Sequence, residues 1–289
     1  MNLGVAPGAR APDRAVWING SLVRGEQAVL SVFDRGARDG GAIFETLRVY
    51  GGVPFAWDRH MERLVLSAAE LGFPVPPAPA RMRQAVDQLL DAQSMPEAVV
   101  RLTVTRGIAG GRPTRTGAWI EAEPVSSRLW AGARTSAGTA MFSQLPFEPG
   151  WLGRHKTTSR LAWDLAREEC RAAGADEAIL VSPAGMVLEG AASNLFALRA
   201  GGLVTPPLSA NVLPGITRAL VMGCCAALGL AVREAALPLA DLRTADEVFL
   251  TNSVQEILPL ATLAGRALPS RTTGLRVLAT YRELVAAAH

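Results

Sequence analysis

Lysine is almost absent from this chain. Of its 29 basic residues, 28 are arginine and one, Lys156, is lysine. A buried amine can lose its proton and attack a carbonyl group, whereas a guanidinium stays protonated in proteins and is a poor nucleophile. The isolated lysine therefore indicates either a site for covalent bonding to a carbonyl or a chance survivor in an arginine-rich chain. Composition alone leaves both interpretations open.

Cysteine is scarce as well, and its scarcity excludes two classes of site. The chain has 3 cysteines, two of them adjacent at Cys224 and Cys225. This number and spacing fit neither a disulfide framework nor a cysteine-based metal site. We therefore expect no bound metal and a reducing compartment, which by default is the cytoplasm.

Long apolar runs and runs of like charge are also missing. The apolar stretch 219–232 is flanked by arginines and is shorter than the roughly 18 residues that a membrane span needs. Residues 1–15 contain arginines and prolines without the apolar segment of a secretory signal. The net charge of +3 comes from scattered residues, which gives little support to nucleic-acid binding. We expect neither a membrane nor nucleic acid as a partner.

Apolar residues, by contrast, are plentiful. They make up 49% of the 289 residues, enough for a globular protein of one large or two ordinary domains. Residues 1–127 alternate short strand-like runs with turns and two amphipathic helices, which predicts a small α+β domain with a largely antiparallel sheet. Residues 128–289 predict a larger domain that mixes β-structure with helices.

Two segments have the features of an anion site. In LPGITR, residues 213–218, a tight turn opens directly into a helix, whose free N–H groups and dipole attract negative charge. The strand in FLTNSVQE, residues 249–256, ends in small hydroxyl and amide side chains that are suited to complete a phosphate cup. The alternative interpretations are an ordinary helix start and an ordinary loop cap.

Two further segments carry charged side chains. DRHMERL, residues 58–64, places Arg59 and Arg63 on one helical face, where they form either a cationic fork for a phosphate or a solvated surface. In LEGAASN, residues 188–194, Glu189 closes an apolar strand before a run of very small residues. Small residues let a flat ligand approach the backbone, and a carboxylate there can hold a protonated ring nitrogen. The alternative is a glutamate that faces solvent.

Together these segments resemble a known family. DRHMERL, the Gly/Pro loop before Lys156, LEGAASNLF, LPGITR and FLTNSVQE resemble the class IV aminotransferases, the fold type IV enzymes that use pyridoxal 5′-phosphate. The resemblance runs from about Trp17 to Leu260. It implies the two-domain fold of the D-amino-acid aminotransferase type, with a small α+β domain followed by a larger cofactor-binding domain. It also implies a homodimer whose active site lies near the subunit interface.

The resemblance implies a role for each matching residue. Lys156 would form a Schiff base with the cofactor aldehyde and move protons between the substrate Cα and the cofactor C4′. Glu189 would pair with the pyridine nitrogen and keep it protonated. The cofactor phosphate would be held by residues from three segments: Arg63, Ile216, Thr217, Asn252 and Ser253.

The reaction itself stays open. Transamination between an amino acid and a 2-keto acid is the preferred interpretation. D-amino acids or (R)-amines come ahead of branched-chain L-amino acids, because the branched-chain enzymes surround their substrate with aromatic side chains and this chain has only Tyr50 and Tyr281. The alternative is a 4-amino-4-deoxychorismate lyase, which RGIAGGR and TNSVQEILP resemble and which releases 4-aminobenzoate and pyruvate. A non-catalytic ligand-binding relative is a third hypothesis, against which Lys156 argues.

The substrate carboxylate needs a cationic partner. D-amino-acid transaminases of the well-known type use a tyrosine, an arginine and a histidine, but this chain has Phe44 where the tyrosine would stand and no histidine in residues 106–114. Its candidates are four arginines: Arg38, Arg101, Arg106 and Arg112. Arg160, close to the lysine in sequence, is a candidate for the cofactor's phenolic oxygen or a substrate carboxylate.

Overall fold

The computed structural model describes residues 13–74, 76–108, 116–125 and 137–288. The chain divides into two compact units, Met1–Pro124 and Val125–His289. Each unit has its own sheet, and the two are described separately. No helix within the described ranges has both the length and the apolar character needed to cross a membrane.

In chain order the elements of the first unit are β1 (Ala15–Ile18), β2 (Ser21–Arg24), α1 (Arg35–Asp39), β3 (Ala42–Tyr50), β4 (Val53–Pro54), α2 (Trp57–Glu70), α3 (Pro79–Gln93), β5 (Ala98–Thr105) and β6 (Ala118–Pro124). The strands form an antiparallel six-stranded sheet with the order β2-β1-β6-β5-β3-β4. Its long central strands are the ones whose sequences are rich in β-branched and apolar residues, such as AVVRLTVT in β5.

Helices α2 and α3 cover one face of this sheet. Met61, Leu64 and Ala68 of α2 recur at helical spacing, are buried, and share a core with Ile43 of β3 and Leu102 of β5. Because successive strand residues point to opposite faces, the other face of the sheet carries the alternate side chains.

Helix α2 begins without a side-chain cap. The carboxylate of Asp58 is of the type that favours an N-cap, but the helix already begins at Trp57, after Ala56 in a left-handed conformation with φ 54°. Asp58 instead lies in the first turn, where a negative charge favours the helix dipole.

In chain order the elements of the second unit are β7 (Gly138–Phe142), α4 (Leu161–Ala172), β8 (Glu177–Val181), β9 (Met186–Gly190), β10 (Asn194–Arg199), β11 (Gly202–Thr205), α5 (Ile216–Ala227), β12 (Val232–Glu234), β13 (Leu237–Pro238), α6 (Leu239–Arg243), β14 (Glu247–Asn252), β15 (Glu256–Leu263), β16 (Arg266–Ala267) and α7 (Thr272–Ala287). The strands form a ten-stranded mixed sheet with the order β12-β11-β10-β14-β15-β7-β8-β9-β13, and β16 pairs with β15.

A tight turn joins β9 to β10, two strands that are far apart in the order of the sheet. The Gly190 N–H donates to the Ser193 carbonyl at 2.7 Å, and a Cβ at Gly190 would lie 2.2 Å from the Ser193 Oγ. The buried Glu177 carboxylate supports the turn by accepting hydrogen bonds from the Ser193 hydroxyl at 2.9 Å and the Ala192 N–H at 3.3 Å. A side chain at Gly190 would therefore collide with Ser193, and the turn fixes the strand ends that carry Glu189 and Asn194.

Candidate active site

Lys156 lies in the loop between a short 3₁₀ helix, Gly150–Arg154, and α4. Its side chain is half-buried. Its positive charge is near enough to Glu189 to lower the pKa of that carboxyl. The only lysine of the chain and the carboxylate that closes β9 therefore belong to one electrostatic cluster, as their proposed roles require.

Glu189 is a buried carboxylate, 5% exposed. Its Oε2 accepts a hydrogen bond from the Leu213 N–H at 3.0 Å and a longer one from the Asn194 Nδ2 at 3.3 Å. Burial raises the pKa of Glu189 to about 7. Four neighbouring groups act in the opposite direction without reversing this shift: the Leu213 N–H, Arg160, Trp163 and Lys156. A buried carboxylate of this kind favours a cation as its partner.

The LPGITR segment forms the predicted helix start. Gly215 is the N-cap of α5, and no side chain caps this end of the helix. The N–H groups of Ile216 and Thr217 belong to the first turn, whose donors have no partner within the helix. Because Leu213 also donates to Glu189, the uncapped helix end and the buried carboxylate lie next to each other, and the helix end is suited to an anion.

Strand pairing places the FLTNSVQE segment next to Asn194, which contacts Glu189. β14 runs antiparallel to β10, so that Thr251 lies opposite Asn194. The Asn252 Oδ1 accepts hydrogen bonds from the Val254 N–H at 2.9 Å and the Gln255 N–H at 2.7 Å. The Asn252 oxygen therefore shapes the turn, whereas a phosphate would be bound by N–H and O–H donors, so Asn252 and Ser253 both stay predicted phosphate ligands.

Arg63 lies in the first unit, in a buried cluster with Glu45 and His60. Its Nε and Nη2 donate to the two oxygens of Glu45 at 2.8 and 2.6 Å, and the His60 Nδ1 lies 2.7 Å from the same carboxylate. Burial acts to raise the pKa of Glu45, but Arg63 and His60 outweigh it and hold this pKa at about 2. The carboxylate therefore stays charged and fixes the direction of the Arg63 guanidinium.

The arginines proposed for the substrate carboxylate differ in their surroundings. Arg38 is largely exposed, with its Nε 3.8 Å from Asp39. Arg101 lies with its guanidinium 3.7 Å from the centre of the Phe44 ring, on the sheet face opposite the helices. Arg106 donates to the Gly72 carbonyl at 3.4 Å. Arg112 lies outside the described residues.

Arg160 lies beside the turn that follows Glu189. Its Nη2 donates to the Ala191 carbonyl at 2.8 Å, and its guanidinium stacks over the Trp163 ring at 4.6 Å. These contacts give Arg160 a supporting role in holding the turn, in addition to its electrostatic effect on Glu189.

Sequence reasoning missed the residues that orient the predicted ligands. Asn194 contacts Glu189, Glu45 contacts Arg63, and His60 contacts Glu45. Asn194 was quoted inside LEGAASN without a structural role, and Glu45 was not singled out. Their polarity within otherwise apolar or small-residue strands is the signal that could have marked them.

Comparison with known proteins decides the family. The sequence profile described as amino-transferase class IV matches residues 42–263. The chain belongs to the class IV aminotransferases. This family uses pyridoxal phosphate, and the predicted family, cofactor and enzyme class are thereby confirmed.

The names of the matching relatives include two different substrates, branched-chain amino acids and D-alanine. The Escherichia coli (strain K12) branched-chain-amino-acid aminotransferase is 31% identical over 267 residues, which are 86% of this chain and 85% of that protein. The D-alanine aminotransferase of Listeria monocytogenes (strain 10403S) is 31% identical over 260 residues, 86% of this chain and 88% of that protein.

Solved structures of other class IV aminotransferases match the fold. The branched-chain aminotransferase from Thermoproteus uzoniensis with norvaline has a TM-score of 0.85 at 29% identity and covers 94% of both chains. A hypothetical aminotransferase from Mycobacterium tuberculosis in its PLP-bound form has a TM-score of 0.84 at 28% identity, covering 95% of this chain and all of that one. The predicted mixed α and β fold of type IV is confirmed.

Proposed function

We propose that this aminotransferase transfers an amino group from a D-amino acid or an (R)-amine to a 2-keto acid, with Lys156 as the covalent attachment point of pyridoxal phosphate. The observation that carries the site assignment is the buried Glu189 carboxylate. It accepts a hydrogen bond from the Leu213 N–H of the turn that opens α5 and lies within electrostatic range of Lys156.

The residues of the second unit fit the three polar ends of pyridoxal phosphate. An amine suits the aldehyde, a buried carboxylate suits a protonated ring nitrogen, and the uncapped N-terminus of α5 suits the phosphate. Ile216, Thr217, Asn252 and Ser253 are the proposed phosphate ligands of this unit. Arg63, oriented by Glu45, is the proposed cationic ligand from the first unit, on the resemblance of DRHMERL to the family motif.

Bound pyridoxal phosphate supplies a ring that takes up the electron pair released when the substrate Cα loses its proton. Lys156 Nζ, as the neutral amine, takes the proton from Cα and returns it to C4′. Glu189 would hold the protonated ring nitrogen, since such a cation would favour the charged carboxylate over the neutral form that burial favours in its absence. The role of Glu189 would be to keep that proton on the ring nitrogen.

The two tyrosines support the choice of substrate. Tyr281 is 1% exposed within the second unit, and the Tyr50 ring packs edge-on against Phe55 with centroids 5.9 Å apart. Because the chain has only 2 tyrosines and Tyr281 is buried, Tyr50 is the one tyrosine left for a substrate pocket, which favours a substrate other than the branched-chain L-amino acids, whose enzymes surround it with aromatic side chains. We infer that an arginine binds the substrate carboxylate. Arg101 is the first candidate, since it is part-exposed beside Phe44.

Branched-chain L-amino acids are the second candidate substrates. The relatives and solved structures that carry this name cover most of the chain at 26–34% identity. Their similarity does not separate one substrate class from the other, because D-alanine aminotransferases match over a similar length at 28–31% identity.

A half-reaction assay distinguishes these substrates. The purified holoenzyme is mixed separately with D-alanine, L-leucine, (R)-1-phenylethylamine and 4-amino-4-deoxychorismate, and its visible absorption is followed. We expect D-alanine or the (R)-amine to convert the cofactor to its pyridoxamine form. Conversion by L-leucine alone would establish the second candidate. An unchanged spectrum with release of pyruvate and 4-aminobenzoate would establish the lyase and contradict transamination.

We also propose that the partner of this chain is a second copy of itself. Large apolar side chains near Lys156 in sequence are exposed, among them Leu161 at 73% and Trp151 at 57%. Phe33 in the first unit is exposed as well. Association surfaces of proteins are rich in exposed apolar side chains, and we infer that these residues contribute to one.

Light scattering on a size-exclusion column tests this proposal. We expect a particle of twice the chain mass for the wild type, and a shift towards the monomer for Leu161→Glu, which places a charge on the exposed apolar surface. Leu22→Glu, at an exposed apolar residue of the edge strand β2, is the matched control and should stay dimeric. A monomeric wild type with full activity would contradict the proposal.

A further inference from the structure

Asn194 is the first residue of β10 and is 5% exposed. Its carboxamide nitrogen carries two N–H donors. One is directed to the Leu213 carbonyl, with Nδ2 at 2.9 Å from the oxygen, and the other to the Glu189 Oε2 at 3.3 Å. A single side chain thus joins the end of β9 to the turn before α5.

A third hydrogen bond closes this arrangement. The Leu213 N–H donates to the same Oε2 of Glu189 at 3.0 Å. Because both donors meet one oxygen, rotation of the carboxylate about its terminal bond would break both hydrogen bonds. The Glu189 carboxylate therefore has one favoured orientation, and Asn194 is one of the two groups that define it.

The oxygen of the same carboxamide contacts the helix end. A Cβ built on Gly215 would lie 1.9 Å from the Asn194 Oδ1. Gly215 has φ −66°, a conformation that any residue adopts, so glycine is required here for space and not for backbone freedom. The Asn194 carboxamide consequently sets how closely the N-cap of α5 approaches β10.

We propose that Asn194 is a positioning residue that holds the ring-nitrogen carboxylate and the phosphate-binding helix end at a fixed separation. This inference rests on the proposed function, in which Glu189 faces one end of the cofactor and α5 the other. The single Asn194 carboxamide would thus act both on Glu189, at the ring nitrogen, and on the start of α5, at the phosphate. Loss of Asn194 should therefore weaken binding of the phosphorylated cofactor more than binding of the same ring without phosphate.

The test compares two ligands that form no covalent bond with Lys156. Affinities of the apoenzyme for pyridoxamine 5′-phosphate and for pyridoxamine are measured by calorimetry for the wild type and Asn194→Ala. Orienting neighbours of a ligand group are typically worth about 10- to 100-fold in affinity. We expect a loss of this size for pyridoxamine 5′-phosphate and a smaller loss for pyridoxamine, so that the ratio of the two affinities falls.

Thr205→Val is the matched control. The Thr205 hydroxyl is buried and donates to the Leu195 carbonyl at 2.7 Å, so this variant also removes one buried hydrogen bond to a β10 residue. It touches neither Glu189 nor the N-cap of α5, and its affinity ratio should equal that of the wild type. If the affinity ratio of Asn194→Ala equalled that of the wild type, Asn194 would have a purely structural role and the inference would be overturned.

Gly215→Ala provides an independent test that keeps Asn194 in place. The added methyl collides with the Asn194 Oδ1, so this variant should also lower the affinity ratio. In the double variant Asn194→Ala/Gly215→Ala the collision is absent, and the second substitution should cost less than it does alone. Additive losses would contradict the proposed contact. A wild-type apoenzyme that binds neither ligand would instead refute the proposed function.

Discussion

The Lys156→Arg enzyme will be colourless after addition of pyridoxal phosphate and at least about 1,000-fold less active than the wild type. Arginine keeps the positive charge and the length of the side chain but has no amine that can lose its proton at neutral pH. The variant therefore loses both the covalent link to the cofactor and the group that moves the substrate proton. Absorption spectra and half-reaction rates under saturating cofactor measure the two losses.

The scarcity of lysine means that no other lysine can replace Lys156 in this experiment. No other ε-amine exists in the chain, so none can take over the link. Arg154→Lys, introduced together with Lys156→Arg, is the matched control, because it restores an amine two residues away, at the exposed last residue of the preceding 3₁₀ helix. We expect no recovery. Wild-type absorption and turnover in Lys156→Arg would show that the cofactor is held without this residue.

The Glu189→Gln enzyme will bind the cofactor and retain the link to Lys156, but its half-reaction will be slower by about 100-fold, the usual cost of removing one electrostatic group from a reacting centre. A neutral amide cannot keep the ring nitrogen protonated, so the ring takes up electron density less well. Glu247→Gln is the control, since Glu247 is a buried carboxylate that accepts N–H donors at the start of α7. Because it lies outside the proposed site, its substitution should leave the half-reaction rate close to that of the wild type.

The pH dependence of stability gives a second readout for the same variant. The pKa of Glu189 rises from 4.5 to about 7 on folding, so the folded apoenzyme binds more protons than the unfolded chain between these values. Stability from this group is therefore greatest at low pH and falls as pH rises through this window, by up to about 3 kcal/mol. The glutamine side chain of the Glu189→Gln variant does not titrate, so the variant lacks this contribution to the pH dependence.

Thermal unfolding of the apoenzymes measures this effect. We expect the wild type and Glu189→Gln to have similar free energies of unfolding near pH 5. Towards pH 8 the free energy of unfolding of the variant should increasingly exceed that of the wild type. A difference that stays constant across this range would mean that the Glu189 carboxylate is ionised in the folded apoenzyme throughout, and would contradict the argument from burial.

Local patterns predicted much of the chain. LPGITR predicted the start of α5 at Ile216, which the structure has, because a Pro-Gly turn before an apolar helix is specified by adjacent residues. The largely antiparallel sheet predicted for the N-terminal part of the chain is also present. Side-chain chemistry alone did not locate the start of α2, because Asp58 suits an N-cap but the helix begins at Trp57, two residues earlier than such a cap would give.

The contacts that orient the site could not be predicted in this way. Asn194 and Leu213 are separated by 19 residues, and Arg63 and Glu45 by 18; their hydrogen bonds exist only because the strands and helices pack together. The role of the Asn252 oxygen in its own turn, where it accepts from the Val254 and Gln255 N–H groups, is a local contact that the sequence analysis also left out.

Chemical trapping of the cofactor tests the central claim most directly. The wild-type holoenzyme is treated with borohydride, which makes a carbon–nitrogen link between the cofactor and an amine permanent, and the digested protein is mapped by mass spectrometry. We predict the phosphopyridoxyl group on the peptide that contains Lys156 and on no other. Label on the N-terminal amine alone, or no label on a protein that has bound the cofactor, would contradict the assignment of Lys156 as the attachment point.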